Sequence, residues 1–166
     1  MEDAPLASAG ASRFTTRLRL EPVGPANAAD LWRVHNDDEV SYWYGTGKPS
    51  PEQAEQQARF MGDSWRFHGV HKWMAYDRLR REYWGRGFAS EIGHAGLTFA
   101  FGVLEVQAVV SCTAPHNVRS LAVMKRIGMR YAGEIRTRGI VKGADTEQDD
   151  APFAVCVLLR RDWAGP

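Results

Sequence analysis

Two glycines, one residue apart, stand directly before a helix-like segment in the middle of the chain. The stretch WGRGFAS, residues 84–90, places Gly85 and Gly87 at this junction. Glycine permits positive φ and lets a ligand approach the backbone closely. The first turn of a helix also presents N–H groups without intrahelical partners at the positive end of its dipole. Such a turn suits a phosphate or pyrophosphate, and Arg86 adds charge with the arginines at 80–81. Taken alone, the motif is more often a plain tight turn with solvated arginines.

A pair of polar residues follows the glycine turn one predicted strand later, in PHNVRSLAVMKRIGM, residues 115–129. Asn117 and Ser120 lie three residues apart at a predicted helix start, so both face the same side. Considered singly, Asn117 is an N-cap and Ser120 is a surface hydroxyl. Together with the glycine turn, the pair favours one binding site over two unrelated structural roles.

The surrounding segments predict a mixed α/β fold. Alternation around Leu18 and Leu20 predicts a first strand. Ser50, Pro51 and Gln53 form a capping box with proline at the first helical position, which predicts a helix from there. FASEIGHAGLTFAFG, residues 88–102, predicts a helix directly after the glycine turn. The predicted order is strand, helices, strands, helix, strand, helix and two strands, the last two joined by the acidic loop KGADTEQDD.

Four finer predictions depend on local pattern. VSYWYGTGK, residues 40–48, predicts a loop, and the helix from Ser50 is expected to break near Gly62. The continuous apolar run VQAVVSCT, residues 106–113, predicts a strand covered on both faces. Cys112 and Cys156 lie in apolar runs without metal-type spacing, so we expect buried free thiols in a reducing cytoplasm.

Composition limits the class of protein. The chain has 166 residues, of which 44% are hydrophobic and 25% charged, which suits one globular domain over 13–166 after a disordered tail at 1–12. A net charge of +1 gives no overall attraction to nucleic acid or acidic lipid. No apolar run reaches the roughly 20 residues of a membrane helix, and no secretory signal is visible. We therefore expect a cytoplasmic protein with no nucleic-acid or membrane partner; a homodimer stays open.

The glycine turn and the Asn117 segment together resemble the GCN5-related N-acetyltransferase (GNAT) superfamily, and within it the RimJ/RimL-type branch. The family signature is Q/R-x-x-G-x-G/A, and residues 84–89 occupy those positions, with Trp84 in place of Gln or Arg. The second signature, N-x-x-S followed by apolar residues and a basic ending, matches Asn117, Ser120, Lys125 and Gly128. The resemblance covers residues 15–163. It implies a mixed, mostly antiparallel central sheet flanked by helices and splayed at the cofactor site.

The resemblance also implies acetyl-coenzyme A as co-substrate, without a metal, and an amine as acceptor. By this carry-over the backbone amides of residues 84–90 hold the pyrophosphate, and Asn117 hydrogen-bonds the pantetheine arm. Arg119 or Lys125 is a candidate for the adenosine end. The expected cofactor-binding residues are Leu79, Trp84, Gly85, Arg86, Gly87, Phe88, Ala89, Ser90, Asn117, Arg119 and Ser120.

Fewer residues support a catalytic assignment than support the cofactor site. Many members of the superfamily use a tyrosine four residues before the helix-ending glycine as proton donor, and here that position is Met124, which cannot donate. In the RimJ/RimL-type branch the serine of N-x-x-S is the suggested donor, so Ser120 is the candidate. His116 is a weak candidate for a general base, and Glu91 more often has a structural role. A non-catalytic coenzyme A-binding or interaction module, and a transferase for longer acyl groups, remain alternatives.

Two clusters near the expected acceptor loop complete the candidates. The acidic residues Asp37, Asp38 and Glu39 could attract a cationic amine, although such residues more often form a solvated loop. The aromatic residues at 42–44 could line an acceptor pocket or anchor a loop.

The junction between Arg78 and Leu79 is too short for the resembled fold. The family has two further strand segments here, which would take on the order of 15–30 residues, and Leu79 to Arg81 would be only the tail of the second. Three explanations stay open. The sequence omits a segment, so that the Cα atoms of Arg78 and Leu79 are not about 3.8 Å apart; the deletion is real; or a partner chain supplies a strand.

Overall fold

The computed structural model describes residues 12–44, 48–69, 73–75, 83–139 and 148–165. The chain divides into two compact units, Met1–Arg86 and Gly87–Pro166, which are described separately. The predicted tail at 1–12 lies outside the described residues except for Ser12. The short junction at Arg78 and Leu79 lies wholly outside them. The expectation of one acetyltransferase domain over 13–166 stays a prediction.

In the N-terminal unit a small antiparallel sheet accompanies three helices. The sheet order is β1-β2-β3. Leu18 and Leu20 are buried, as the alternation around them predicts. The predicted single strand is instead two short strands, because the chain reverses between residues 14 and 19. The elements are β1 (Arg13–Phe14), β2 (Arg19–Pro22), α1 (Ala28–His35), α2 (Asp38–Tyr44), α3 (Pro51–His68) and β3 (Trp73–Ala75).

Helix α3 begins where the capping box predicts. The Ser50 Oγ accepts a hydrogen bond from the Gln53 N–H at 3.2 Å, and the Ser50 N–H donates to the Gln53 side-chain oxygen at 2.8 Å. The expected break near Gly62 is wrong, because the helix continues to His68 and ends at Gly69, whose φ is 69°. Gly62 serves close packing instead: a Cβ there would lie 3.3 Å from the Gly24 backbone.

The predicted loop at 40–48 is wrong over its first part, because α2 runs to Tyr44. The helix has its own start signal in Asp37. The Asp37 carboxylate accepts hydrogen bonds from the backbone N–H groups of Glu39 at 3.0 Å and Val40 at 3.1 Å. An aspartate at this position satisfies first-turn donors, and this local cap outweighs the aromatic, turn-like composition that follows.

The C-terminal unit contains the predicted site residues from Gly87 onward. Its sheet has the order β4-β6-β5 with antiparallel pairs, and helices α4 and α5 pack against each other and against β4. The predicted bounds of the helix after the glycine turn are confirmed. The elements are α4 (Phe88–Gly102), β4 (Ala108–Thr113), α5 (Val118–Arg126), β5 (Arg130–Gly139) and β6 (Gln148–Leu159). The predicted acidic loop is shorter than expected, because its last three residues begin β6.

One core holds this unit together. Side chains from both helices meet the inner face of β6. Their removal from water supplies roughly 25 cal/mol per Å² of buried apolar surface, which fixes α4 and α5 relative to the sheet. The buried members are Leu97, Phe101, Met124, Met129, Cys156 and Leu158.

Strand β4 is not covered on both faces, contrary to the sequence prediction. Its burial alternates, and Val110 is 60% exposed. The two helices cover one face of the strand, so the alternate residues point away from them. Cys112 is therefore exposed, which corrects the expectation of two buried thiols; Cys156 is buried as predicted, and both cysteines are free.

Within the ranges that the structure describes, every helix is too short or too polar to cross a bilayer.

Candidate functional site

Helix α4 begins without a side-chain cap. Its N-cap is Gly87, which has a left-handed backbone with φ of 83° and makes no side-chain cap hydrogen bond. The Gly87 carbonyl accepts the first intrahelical bond, from the Glu91 N–H at 3.1 Å. Gly85 also has positive φ, 75°, and a Cβ there would meet no atom within 4 Å. Glycine at 85 is thus required by its backbone conformation rather than by a lack of space for a side chain.

The turn before α4 is held from within the N-terminal unit. The Arg17 side chain donates to the Arg86 carbonyl at 2.9 Å, and the Arg86 guanidinium lies 5.5 Å from the centre of the Tyr83 ring. No local pattern predicts the contact of Arg17, which is 69 positions from Arg86. The other arginines expected near the turn, at 80–81, and the candidate Leu79 lie outside the described residues.

Ser90 in the first turn of α4 meets an arginine from α5. Its side chain is buried, with 8% exposed, and its Oγ accepts a hydrogen bond from Nη1 of Arg126 at 3.1 Å. The two residues are 36 positions apart, so only the packing of the helices brings them together. Sequence reasoning named Ser90 as a cofactor-binding candidate and did not predict its contact with Arg126.

The start of α5 is capped by its own asparagine. The Asn117 side-chain oxygen accepts from the Ser120 N–H at 3.1 Å, so the N-cap interpretation of Asn117 is confirmed. The cap uses the oxygen and leaves the side-chain NH₂ as a donor for a ligand. Ser120 is half-buried, and its hydroxyl makes no hydrogen bond to any residue that the structure describes.

The remaining candidates lie in helix α5 or in the turn before it. His116 lies in the turn between β4 and α5, half-buried, and its carbonyl accepts from the Val118 N–H at 3.0 Å. Met124 is 7% exposed and belongs to the core, where its thioether supplies packing. Arg119 and Lys125 lie on the exposed surface of α5.

The acidic residues near the expected acceptor loop have structural partners. Asp37 caps α2, as described above. The Asp38 carboxylate lies 2.5 Å from the Lys48 amine, and the hydrogen bond and charge of Lys48 lower the pKa of Asp38. These contacts favour a structural role for both, while the side chains at 42–44 lie outside the described residues. Over the described ranges, His, Cys, Asp and Glu form no group of three that could hold a metal ion.

Comparison with known proteins identifies the family. Residues 65–130 match the sequence profile of the acetyltransferase (GNAT) domain. The Bacillus subtilis protein named "Putative ribosomal N-acetyltransferase YdaF" is 31% identical over 180 positions, which include 92% of this chain and 94% of YdaF. The chain belongs to the GNAT acetyltransferase family. The α/β fold expected from the glycine and asparagine motifs is thereby confirmed, and residues 65–130 contain both motifs.

Solved structures agree with this GNAT assignment. An acetyltransferase of the GNAT family from Bacillus anthracis superposes with a TM-score of 0.70 at 15% identity, covering 90% of this chain and 99% of that protein. At this identity the likeness concerns the fold. The uncharacterized B. subtilis protein YkkB is a further relative, 24% identical over 150 positions, which include 74% of this chain and 87% of YkkB.

This GNAT chain is shorter than both relatives inside the aligned region. The YdaF alignment has 180 positions, but 92% of 166 residues is about 153, which leaves about 27 positions of YdaF unmatched. The YkkB alignment has 150 positions, but 74% of 166 residues is about 123, which again leaves about 27 positions of the relative unmatched. Two strands and a turn have this length. That the shortfall lies at Arg78 and Leu79 stays a prediction.

Proposed function

We propose that this protein is an acetyl-coenzyme A-dependent N-acetyltransferase that acts on a primary amine. The observation that carries the proposal is the start of α4, which begins at a left-handed glycine and has no side-chain cap. A helix start of this kind binds an anion through main-chain N–H groups and the helix dipole. Membership of the acetyltransferase family supports the pyrophosphate of acetyl-coenzyme A as that anion, held by the amides of residues 84–90.

Asn117 fits the second expected contact. Its oxygen is occupied as the N-cap, but its NH₂ group can donate to a carbonyl of the pantetheine arm. The same side chain would then fix α5 and orient the co-substrate. The candidate for the adenosine end, Arg119, lies one residue before Ser120 on the exposed surface of α5.

Acetyl transfer requires little from the protein beyond positioning the two substrates. The neutral amine nitrogen attacks the thioester carbonyl carbon, the carbon–sulfur bond breaks, and the amine loses a proton while the departing thiolate gains one. Holding both substrates in reacting geometry can contribute about 7–11 kcal/mol of the barrier reduction. The Ser120 hydroxyl, which has no described protein partner, is the donor that we assign to the thiolate.

The acceptor is a protein N-terminus or a small molecule. The name of YdaF mentions a ribosomal acceptor, and the Asn117–Ser120 pattern resembles the RimJ/RimL-type branch. The net charge of +1 gives no separate reason to favour a ribosomal partner. We infer cytoplasmic action by a single domain, with a homodimer open and no metal required.

A second candidate is a non-catalytic coenzyme A-binding module. The roughly 27 unmatched positions favour it, because the resembled fold uses a central strand next to the pantetheine arm. Met124, in place of a donor tyrosine, favours it too. Under this alternative the α4 start still binds coenzyme A, but no amine is acetylated.

One assay separates the two candidates. Release of free thiol from acetyl-coenzyme A is followed with a broad panel of amines, and thermal melting is followed with acetyl-coenzyme A alone. Amine-dependent thiol release that falls in Ser120→Ala supports the transferase. A raised melting temperature with no thiol release for any amine supports the binding module. If acetyl-coenzyme A causes neither thiol release nor a shift in melting temperature, both candidates are contradicted.

A further inference from the structure

The two outer strands of the β4-β6-β5 sheet differ in how their edges are protected. Strand β5 has register shifts near Tyr131 and Thr137 and carries exposed charged side chains, and both features discourage pairing with another chain. Strand β4 has neither feature, because its sequence AVVSCT contains no charge or proline and its ladder has no register shift. The sheet therefore has one protected edge and one unprotected edge. The charged residues of β5 are Arg130, Glu134, Arg136 and Arg138.

The register of β4 shows which of its backbone groups lie on the unprotected edge. Strands β4 and β6 pair in a regular antiparallel ladder, and Gln107 with Arg160 is the next pair in the same register. The Gln107 carbonyl accepts from the Arg160 N–H at 2.9 Å, so these two residues form a hydrogen-bonded pair. Hydrogen-bonded and non-hydrogen-bonded pairs alternate along an antiparallel ladder. The N–H and C=O groups that point away from β6 therefore belong to Ala108, Val110 and Cys112.

These outward groups have no hydrogen-bond partner among the residues that the structure describes. The side chains of the same three residues are exposed, and that of Val110 is 60% exposed. Unpaired backbone groups in a row form a template on which another strand can pair. The shortfall of about 27 positions relative to YdaF and YkkB, the length of two strands and a turn, agrees with a strand that has lost a neighbour.

The occupant that fits this edge is β4 of a second copy of the chain. Two identical strands can pair antiparallel about a two-fold axis, and only their outward residues can then form hydrogen-bonded pairs. An axis at Val110 uses all of these residues, because Val110 then faces Val110 of the second copy and Ala108 faces Cys112. Every facing side chain is small and uncharged, so no like charges meet across the axis.

We propose that the β4 strands of two copies pair antiparallel about Val110 and join their sheets into one. The pairing is independent of acetyl transfer, since it depends only on the backbone register and the uncharged edge of β4. A pair of six-residue strands buries less than the roughly 1,600 Å² of a standard interface. The dimer is therefore weak, and its population rises with protein concentration.

A charge at the two-fold axis tests the association. Val110→Lys places two ammonium groups opposite each other, which disfavours the pair. Ile135→Lys is the matched control, because Ile135 is also exposed, at 46%, but lies on the protected strand β5. In sedimentation velocity we expect wild type and Ile135→Lys to shift from monomer to dimer with rising concentration, and Val110→Lys to stay monomeric. A wild type that is monomeric throughout, or a dimer that persists in Val110→Lys, would overturn the proposal.

A disulfide tests the register without relying on a disruptive variant. Val110→Cys is made with Cys112→Ser, so that the facing Cα atoms lie about 5.5 Å apart, within disulfide range. In wild type, Cys112 lies more than about 13 Å from Cys112 of the second copy, at about 3.4 Å per residue. We expect a covalent dimer from oxidised Val110→Cys, and none from wild type or from Ile135→Cys with Cys112→Ser. A wild-type covalent dimer through Cys112 would contradict the register.

Amide hydrogen exchange separates the second copy from other occupants of the edge. We expect exchange at the N–H groups of Ala108, Val110 and Cys112 to slow as wild-type concentration rises, and to stay fast in Val110→Lys. If these amides are slowed only by added acetyl-coenzyme A, the edge belongs to the co-substrate and the proposal fails. If they exchange rapidly under every condition, the edge faces water and the proposal also fails. The thiol-release assay judges the proposed function separately in each case.

Discussion

Helices α3 and α4 begin in opposite ways. At α3 the Ser50 side chain caps the first turn, Gln53 returns the bond, and Glu52 adds a negative charge next to the positive end of the dipole. At α4 the N-cap is Gly87, which has no side chain, although Glu91 places an acidic residue in the first turn here too. The first helix start is capped by its own side chains, and the second has no side-chain cap.

The difference shows how a helix start can serve stability or binding. A side-chain cap contributes about 1 kcal/mol to folding and occupies the donors that a ligand would use. The α4 start lacks that contribution, because its N-cap Gly87 has no side chain. Substitutions at the two starts should therefore change different quantities: folding free energy at α3 and ligand affinity at α4.

The largest expected effect is that of Gly87→Ala on affinity. A side chain at φ of 83° costs about 1–2 kcal/mol in backbone strain, and the turn would have to move to relieve it. We expect acetyl-coenzyme A to bind at least tenfold more weakly in titration calorimetry. Gly96→Ala, in the middle of the same helix, is the matched control, since a Cβ there meets nothing within 4 Å. Unchanged affinity in Gly87→Ala would remove the glycine turn from the site.

Asn117 should separate capping from ligand binding at a third helix start. Asn117→Asp retains an oxygen acceptor for the Ser120 N–H but loses the NH₂ donor. We expect its urea unfolding curve to match wild type, because aspartate caps as well as asparagine, and its KM for acetyl-coenzyme A to rise several-fold. Asn117→Ala should lose both stability and affinity. A wild-type KM in Asn117→Asp would leave Asn117 as a cap alone.

Ser50→Ala should affect stability without affecting binding. Loss of the capping box should lower the free energy of unfolding by about 1 kcal/mol. Urea denaturation measures this change, and calorimetry with acetyl-coenzyme A checks that affinity is retained. A loss of affinity as large as that of Gly87→Ala would erase the distinction between the two helix starts.

The smallest effect concerns the charge at the α3 start. The hydrogen bond from the Ser50 hydroxyl, and then the Glu52 backbone N–H, lower the pKa of Glu52 below its usual 4.5. A lowered folded-state pKa adds stability above the unfolded pKa, and this is lost as pH falls through the folded value. Glu52→Gln should therefore flatten the fall in stability below pH 4.5 slightly, because the group is fully exposed. A steeper acid fall in the variant would reverse the assigned sign.

Local patterns in the sequence predicted where several of the helices begin. The capping box at Ser50 located the start of α3, and the glycine turn with the apolar run after it located both ends of α4. Asn117 was correctly expected at the start of α5. Each of these depends on residues within a few positions of one another, where backbone chemistry alone decides the outcome.

Predictions failed where distant packing decides. The apolar run of β4 does not reveal that helices cover only one of its faces, so the exposure of Cys112 was missed. The contact between Ser90 and Arg126 depends on the helix crossing at Gly93, which no local pattern encodes. The helix α2 was missed for a different reason, since its aspartate cap was available in the sequence but was interpreted as part of a loop.

The claim that the α4 start holds the pyrophosphate is tested most directly by amide resonances. Coenzyme A is titrated into ¹⁵N-labelled protein, and the N–H signals of Phe88, Ala89 and Ser90 are followed, with those of residues 52–54 at the α3 start as internal reference. We predict large saturable shifts and slowed hydrogen exchange at the α4 start, with none at the α3 start. Saturable binding that leaves the signals of residues 88–90 unchanged would contradict the account.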